Sequence, residues 1–179
     1  YQIQGFFNVP VDHLFGSAIF APYIANLKLE NLTVSAPDMG GSKRANAYSR
    51  HLQCEMVLCY KLRKKPNVVE EMSIIGDVEG RNVVIIDDMV DTAGTLVLAA
   101  QKIMERGAKS IRAFATHPVL SGNAVERIND SQLTELVVTD SVPFVNNSNK
   151  IKVLSIADIF ASTIQAVNLN QSISTSFVF

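Results

Sequence analysis

Hydrophobic runs alternate with glycine-bearing polar loops and helical patterns along the chain. In one such unit, a predicted strand at residues 32–35 precedes a polar loop and a helical pattern at 43–52. In a second unit, apolar residues 83–86 precede another loop and a helical pattern at 95–106. Gly107 follows this pattern, at the position of a left-handed C-terminal cap. The alternation predicts parallel strands that are connected by helices.

The apolar segments also predict the kind of sheet. The run Val-Val-Ile-Ile at 83–86 is apolar at every position, as expected for a central parallel strand with helices on both faces. Further strands are predicted at residues 56–60, 111–116, 135–139 and 152–154. Early helices are predicted near residues 13 to 27, and the polar residues 62–82 are predicted to form a mobile excursion. These patterns predict an α/β fold with a doubly wound, mainly parallel sheet in one domain.

Composition narrows the class of protein. With 179 residues, of which 47% are hydrophobic and 18% charged, the chain has the size and balance of one globular domain. The net charge of -1 argues against a nucleic-acid partner. Without a long apolar run or a signal-peptide pattern, the sequence predicts a cytoplasmic protein with no membrane segment. Cys54 and Cys59 have neither zinc-site nor redox spacing, so both are predicted to be free, packed thiols.

Two acidic residues directly follow the apolar run at 83–86. Asp87 and Asp88 would lie at the carboxyl end of a strand, where open parallel sheets bind their ligands. Adjacent carboxylates repel each other, so this arrangement favours nearby hydroxyl donors or a divalent cation. The ordinary alternative is that both side chains are solvated at the end of the strand.

The turn before the second helical pattern contains Asp91, Thr92, Ala93, Gly94 and Thr95. Backbone N–H groups at a helix start have no partner within the helix and can bind an anion. Thr92 and Thr95 would add hydroxyl donors, while Gly94 and the small Ala93 would let a ligand approach the backbone. The turn is therefore predicted to bind a phosphate monoester. The alternative is an ordinary helix start with Asp91 or Thr92 as the N-cap.

Taken whole, the segment VVIIDDMVDTAGT at 83–95 closely resembles the phosphoribosyl pyrophosphate-binding signature of the phosphoribosyltransferase fold. Residues 2–12, 35–45 and 115–122 also resemble ribose-phosphate pyrophosphokinases, and the similarity extends over nearly the whole chain. The resemblance implies a phosphoribosyltransferase-like fold. It also suggests that residues 1–179 are the carboxy-terminal half of a longer two-domain chain, and would be nearly inactive alone.

The same resemblance implies roles for the acidic pair and the turn. Asp87 and Asp88 would face the 2- and 3-hydroxyls of ribose, and residues 91–95 would hold its 5-phosphate. In this family the ribose 1-hydroxyl attacks the β-phosphorus of ATP and AMP leaves, so the site needs cations rather than a covalent nucleophile. The resemblance identifies Lys61 as the catalytic lysine and Arg63 as its partner, on a loop that closes to exclude water. A solvated basic loop is the alternative.

Magnesium is the cofactor that this chemistry implies, because Mg²⁺ normally accompanies ATP. The predicted metal ligands are Asp12, Asp38 and Asn8, and Asp87 and Asp88 are further candidates. Most of these enzymes carry Asp where this chain has Asn8, and a neutral amide would bind a cation more weakly.

Regulation and assembly are predicted from the resemblance alone. Ser172 and Ser174 match a region that helps to form a regulatory phosphate or ADP site between subunits, although a polar tail is the alternative. The expected partners are ATP, ribose 5-phosphate and further copies of the chain in a dimer-based homo-oligomer, possibly a hexamer. Two other hypotheses stay open. One is a base phosphoribosyltransferase, and the other is a regulatory homologue without catalysis.

Overall fold

The structure is a computed structural model that describes residues 3–62, 71–145, 147–174 and 177. Its strands are β1 (Leu32–Ala36), β2 (Glu55–Leu62), β3 (Glu71–Ile75), β4 (Asn82–Val90), β5 (Ser110–Pro118), β6 (Glu135–Thr139) and β7 (Ile151–Leu154). Its α-helices are α1 (Ser17–Asn26), α2 (Ser42–Leu52), α3 (Gly94–Glu105), α4 (Ala124–Asp130) and α5 (Ala157–Asn168). Within this part of the chain, none of the helices has the length and apolar character of a membrane span.

The strands form one sheet in the order β3-β2-β1-β4-β5-β6-β7. All neighbours are parallel except β2 and the edge strand β3. The predicted mainly parallel α/β sheet is therefore confirmed. From β1 the chain proceeds outward to β2 on one side, and from β4 it proceeds outward to β5 on the other. Such a reversal of strand order opens a crevice beyond the carboxyl ends of the two central strands, β1 and β4.

Helices cover both faces of this sheet, as the continuous apolar run of β4 predicted. Val84 lies in the core beneath α1 and α2, together with Phe20 and Tyr48. Ile85 points to the opposite face and lies in the core beneath α3 and α4, with Ile103. Burial of each large apolar side chain contributes roughly 1.5–3 kcal/mol. The central strands are thus a well-packed base for the loops at their carboxyl ends.

Two predicted boundaries are wrong. β4 does not end at residue 86 but continues to Val90, because β5 extends equally far and pairs with it as far as Pro118. The first helix begins at Ser17 rather than at 13. Its N-cap is Gly16, where a Cβ atom would lie 2.6 Å from Thr116 Oγ1.

The predicted excursion at 62–82 contains a strand that sequence analysis missed. β3 pairs antiparallel with β2, and its Met72 and Ile74 are buried while Ser73 and Ile75 are exposed. This alternation of buried and exposed side chains is typical of a half-buried strand, and β3 lies at the edge of the sheet. Residues 63–70, which also belong to the predicted excursion, lie outside the described residues.

The smaller predictions agree with the structure. Gly107 has the left-handed φ of 86° that its role after α3 requires. Cys54 and Cys59 are free thiols, as predicted, and Cys59 is fully buried with its Sγ 3.4 Å from Ser35 Oγ.

Candidate functional site

β4 extends beyond β1 at the reversal of strand order. β1 and β4 pair only as far as Ser35 and Ile85, whereas β4 continues to Val90 beside β5. Asp87 and Asp88 therefore lie where β1 no longer covers the edge of β4. This position leaves both carboxylates open to side chains from the connection between β1 and α2.

Arg44, in the first turn of α2, binds both carboxylates. Its Nη1 lies 3.3 Å from Asp87 Oδ1, and its Nη2 lies 3.1 Å from Asp88 Oδ2. The Arg44 and Asp87 side chains are 35% and 24% exposed, so this ion pair is partly shielded from water. Sequence analysis missed Arg44 as a site residue and expected only hydroxyls or a metal ion to share the charge. Its position soon after β1 becomes informative once β1 and β4 are known to be neighbours.

The two carboxyl groups differ in acidity. Burial raises the pKa of Asp87 to about 7, the hydrogen bond with Asp88 adds to the rise, and Arg44 opposes it. Partial burial acts in the same direction at Asp88, but the hydrogen bond with Asp87 and the charge of Arg44 hold the pKa of Asp88 below its usual value. The alternative of solvated side chains at the strand end describes Asp88, which is exposed, but not Asp87, which is half-buried. A carboxyl group with a raised pKa beside one with a lowered pKa forms a pair that can share a proton, and such a pair can both accept hydrogen bonds from hydroxyl groups and donate to them.

The turn between β4 and α3 leaves the start of the helix open. The N-cap residue of α3 is Ala93, which has left-handed backbone angles (φ 60°, ψ 2°) and no polar side chain. Helical bonding begins with the N–H of Val97, which donates to the Ala93 carbonyl. The alternative in which Asp91 or Thr92 is the N-cap is wrong. The N–H groups of the first turn of α3 are thus not engaged by a capping side chain from the described residues, which is the condition for anion binding.

Ala93 and Gly94 have different surroundings, and their predicted part in ligand approach stays a prediction. The Ala93 side chain is only 5% exposed and packs in the core beneath α3. A left-handed conformation costs a residue with a Cβ roughly 1–2 kcal/mol, and such strain is often found at functional sites. At Gly94 a Cβ atom would meet nothing closer than 3.8 Å, so neighbouring atoms do not require glycine there.

The connection between β1 and α2 is closed by its own aspartate. Asp38 Oδ1 accepts hydrogen bonds from the N–H groups of Gly40, at 2.8 Å, and Gly41, at 3.3 Å. Gly41 lies tightly against the sheet, because a Cβ atom there would be 2.8 Å from the Cβ of Ala36. The Asp38 side chain nevertheless remains exposed, so its carboxylate is accessible from the crevice.

The predicted metal ligands do not form one described cluster. Asn8 and Asp12 are exposed on the segment before α1, and Asp38 lies in the connection after β1. Among the residues that the structure describes, no group of three or more His, Cys, Asp or Glu side chains is arranged to hold a metal ion. Metal ligation by these residues stays a prediction.

The structure shows no contact of the remaining predicted site residues with the acidic pair or the turn among the residues that it describes. Lys61 is in β2, where its backbone is paired with that of Met72, and Arg63 lies outside the described residues. Ser172 and Ser174 are exposed, and the Ser172 hydroxyl donates to that of Ser174 at 2.9 Å. The catalytic and regulatory roles of these residues also stay predictions.

The comparison with protein families agrees with this geometry. The model of the phosphoribosyl synthetase-associated domain matches residues 49–178, which is most of the chain. The chain belongs to this family. The match contains the acidic pair, the turn at 91–95 and both predicted regulatory serines, whereas Arg44 and Asp38 lie just before it.

Relatives of this family member are similar along almost the whole chain. The ribose-phosphate pyrophosphokinase of Porphyromonas gingivalis is 51% identical over 179 residues, which are 99% of this chain and 57% of that protein. That of Wolinella succinogenes is 46% identical over 177 residues, with the same coverage of 99% and 57%. The predicted resemblance is confirmed. The chain spans 57% of the length of these curated relatives.

Solved structures give the same result for the fold. The phosphoribosylpyrophosphate synthetase of Mycobacterium smegmatis matches with a TM-score of 0.85 and 35% identity, over 94% of this chain and 56% of that one. An adenine phosphoribosyl transferase from Trypanosoma brucei, solved in complex with AMP, pyrophosphate and ribose-5-phosphate, matches with a TM-score of 0.54 and 17% identity. That match covers 78% of this chain and 62% of the other, and it shows the fold alone. The predicted phosphoribosyltransferase-like fold is confirmed.

Proposed function

We propose that this chain is the ribose-phosphate-binding part of a ribose-phosphate pyrophosphokinase. In the proposed reaction the 1-hydroxyl oxygen of ribose 5-phosphate attacks the β-phosphorus of ATP. The bond between that phosphorus and the oxygen bridging it to the α-phosphate breaks, and AMP leaves with the electron pair. The proton of the 1-hydroxyl is lost to solvent or a base, and the product is phosphoribosyl pyrophosphate. This proposal rests mainly on one observation, the uncapped turn at 91–95 directly after a partly buried carboxylate pair, in a chain of this family.

The sugar phosphate would be bound along the end of β4. The N–H groups at the start of α3 and the hydroxyls of Thr92 and Thr95 are suited to the 5-phosphate, and the helix dipole favours an anion there. Asp87 and Asp88 are suited to two neighbouring ribose hydroxyls, because a pair that shares a proton can accept and donate. Arg44 would hold both carboxylates in place before the sugar arrives.

Lys61 and Arg63 would provide the positive charge for pyrophosphoryl transfer. Negative charge accumulates on phosphate oxygens in this reaction, so positioned cations stabilise the transition state more than the ground state. Lys61 lies near the carboxyl end of β2, next to β1 in the sheet, and this strand position supports its proposed role.

The exposed carboxylates fit a magnesium ion that arrives with ATP. Mg²⁺ in such sites usually keeps several waters and takes only one or two protein carboxylates besides the phosphates, so a preformed cluster is not required. Asp38 and Asp12 would supply carboxylates and Asn8 an amide oxygen. When bound, the ion would neutralise charge on the phosphate oxygens.

ATP and further copies of the chain are proposed partners. The rest of the complete protein, or a neighbouring subunit, would supply most of the adenine pocket. A dimer-based homo-oligomer is proposed with it, in which Ser172 and Ser174 would contribute to a regulatory phosphate site. Light scattering of the complete protein with and without ADP tests the assembly, and a monomer under all conditions would contradict it.

The decisive experiment for the function is a pair of measurements. Calorimetry should detect uptake of ribose 5-phosphate, and the complete protein should convert ATP and ribose 5-phosphate into AMP and phosphoribosyl pyrophosphate. Failure to bind ribose 5-phosphate, with or without magnesium and nucleotide, would contradict the proposal. Release of pyrophosphate from phosphoribosyl pyrophosphate in the presence of a purine or pyrimidine base would instead indicate a base phosphoribosyltransferase.

A further inference from the structure

The connection between β5 and α4 holds the turn at 91–95 from outside. The Ser121 hydroxyl donates a hydrogen bond to Asp91 Oδ1. Arg127 Nη1, from α4, donates to the carbonyl oxygen of Thr92 at 3.0 Å. Both contacts join residues that are at least 30 positions apart in the chain, so they depend on packing of the connection against the turn.

A third contact anchors the same connection to the end of β4. The N–H of Leu120 donates to the carbonyl oxygen of Val90 at 3.0 Å, and Leu120 has a left-handed φ of 47°. This conformation is uncommon for a residue with a branched side chain and indicates a locally constrained backbone. Residues 120–127, called the brace below, therefore contact three consecutive residues, the last of β4 and the first two of the turn.

The groups that the brace binds are all acceptors. They are the carbonyl oxygen of Val90, the carboxylate of Asp91 and the carbonyl oxygen of Thr92. Oxygen atoms of this kind would repel a phosphate, whereas the N–H groups at the start of α3 would attract it. The brace donates hydrogen bonds to these oxygen atoms, which would repel a phosphate. The N–H groups at the start of α3 are left available to a ligand.

Arg127 also brings a positive charge to the turn. Its Nη1 lies 3.8 Å from the place that a Cβ atom of Gly94 would occupy, and its side chain is exposed. The guanidinium thus lies beside the start of α3 rather than behind the sheet. Sequence analysis noted residues 115–122 only for their resemblance and gave no role to Ser121 or Arg127.

We infer that Ser121 and Arg127 are positioning residues for the phosphate of the bound substrate. They hold the Asp91 carboxylate and the Thr92 carbonyl away from the phosphate and keep the turn in the conformation that presents its N–H groups. The inference rests on the proposed function, because the phosphate concerned is the 5-phosphate of ribose 5-phosphate.

The test combines substrate affinity with hydrogen exchange. The variants are Ser121→Ala, Arg127→Gln and the double variant, with Ser162→Ala and Lys109→Gln as controls that remove an exposed hydroxyl or charge elsewhere. In the double variant we expect the affinity for ribose 5-phosphate to fall about tenfold, since two hydrogen bonds to charged groups are lost. Affinity for ATP should stay close to that of the controls.

Hydrogen exchange of the unliganded protein gives a second readout that needs no substrate. The hydrogen-bonded amides of Val97, which donates to Ala93, and Leu120, which donates to Val90, should exchange faster in the double variant than in the controls, because the turn has lost two outside contacts. Arg127→Lys should restore part of the affinity and of the protection, since a lysine still donates one charged hydrogen bond. If the double variant does not fold, the single variants and Arg127→Lys carry the same comparison.

The outcomes separate the inference from the proposed function. Unchanged affinity for ribose 5-phosphate in the folded double variant would overturn the inference, whatever happens to amide exchange. If the unsubstituted protein does not bind ribose 5-phosphate, the proposed function fails and the positioning role fails with it. Unchanged amide exchange would show that the turn keeps its conformation without the brace, and this would also overturn the inference.

Discussion

The two turns at the centre of the sheet are built alike but end differently. In each, a buried strand of the central pair leads through an aspartate and a glycine into a helix. Asp38, after β1, folds back onto the N–H groups of Gly40 and Gly41, whereas Asp91, after β4, turns outward to Ser121. The same residue type therefore closes one turn and leaves the other open to an anion, because Asp38 accepts from the N–H groups of its own turn whereas Asp91 accepts from Ser121.

Charge connects the two turns despite this difference. Arg44 lies in α2, the helix that follows the closed turn. Its guanidinium pairs with Asp87 and Asp88, which lie beside the open turn. A helix that follows one strand of the reversal thus stabilises acidic residues at the end of the other. The two connections therefore form one electrostatic unit, in which the helix after the first supplies the Arg44 guanidinium and the second supplies the predicted anion site.

Lys61→Ala tests whether the two turns bind substrate without providing the catalytic charge. Turnover should fall about 100- to 1000-fold, as loss of one transition-state donor costs roughly 2.7–4 kcal/mol. Binding of ribose 5-phosphate should be almost unchanged, because neither turn is altered. Steady-state kinetics of the complete protein and calorimetry measure the two effects. A loss confined to substrate affinity would contradict this division of roles.

The pH dependence of stability tests the carboxylate pair beside the open turn. Folded Asp87 keeps its proton up to about pH 7, whereas an unfolded aspartate releases it near pH 4. The folded state therefore binds more protons in this window, and the free energy of unfolding should decrease as the pH rises through it, by at most about 1.4 kcal/mol per pH unit. Urea unfolding across the window measures the slope.

Two variants resolve the sign of this effect. Asp87→Asn should remove the decrease in stability between about pH 4 and pH 7, because no carboxyl with a raised pKa is left at that position. The lowered pKa of Asp88 predicts that its carboxyl stabilises the folded state as it ionises, so stability should increase with pH below this window. Asp88→Asn should remove that increase. An unchanged slope in Asp87→Asn would show that another group titrates.

Alanine at each glycine compares the packing of the two turns. Gly41→Ala should destabilise the protein by roughly 1–3 kcal/mol, because its Cβ would lie 2.8 Å from that of Ala36. Gly94→Ala meets no atom closer than 3.8 Å and should be neutral, or stabilising by up to about 1 kcal/mol. Thermal unfolding distinguishes the two. Equal destabilisation would mean that the turns are packed equally tightly.

Loss of the polar side chain in each turn compares their hydrogen bonding. Asp38→Ala should cost about 1 kcal/mol, since two backbone N–H groups lose their acceptor. Asp38→Asn keeps an oxygen acceptor and should cost less.

Thr92→Val, in the open turn, has no cap to remove and should leave stability within about 0.5 kcal/mol, while binding of ribose 5-phosphate weakens. The reverse pattern in denaturant unfolding would contradict the assignment of the closed and open turns.

The smallest expected effect concerns the charge that connects the turns. Arg44→Gln should lower stability by up to about 1 kcal/mol, because its ion pairs are partly exposed. It should also raise the pKa of Asp87 further, since the charge of Arg44 opposes the effect of burial in the unsubstituted protein and is lost in the variant. The neighbouring exposed Lys43 provides the control Lys43→Gln. Carboxyl titration by NMR measures the pKa, and an equal shift in both variants would show that only net charge matters.

Local patterns in the sequence were sufficient for most elements. The prediction of β6 agrees with the structure at both ends, and α2 and α3 begin within one residue of their predicted starts. These elements have a strong apolar period and clear boundary residues, which act over a few positions. β3 was missed because it is stabilised by pairing with β2, and the last residues of β4 were missed because they pair with β5. Such pairing joins parts of the chain that are distant in sequence.

The chain's own sequence determined that an acidic pair and a glycine-bearing turn follow a buried strand, because the order of residues decides what stands at a strand end. Only the tertiary structure decided which groups meet there. Arg44, Ser121 and Arg127 lie on three other segments, and they reach the site through the order of the strands and the packing of helices. Such contacts depend on distances across the sheet, and these are not encoded in any short stretch of sequence.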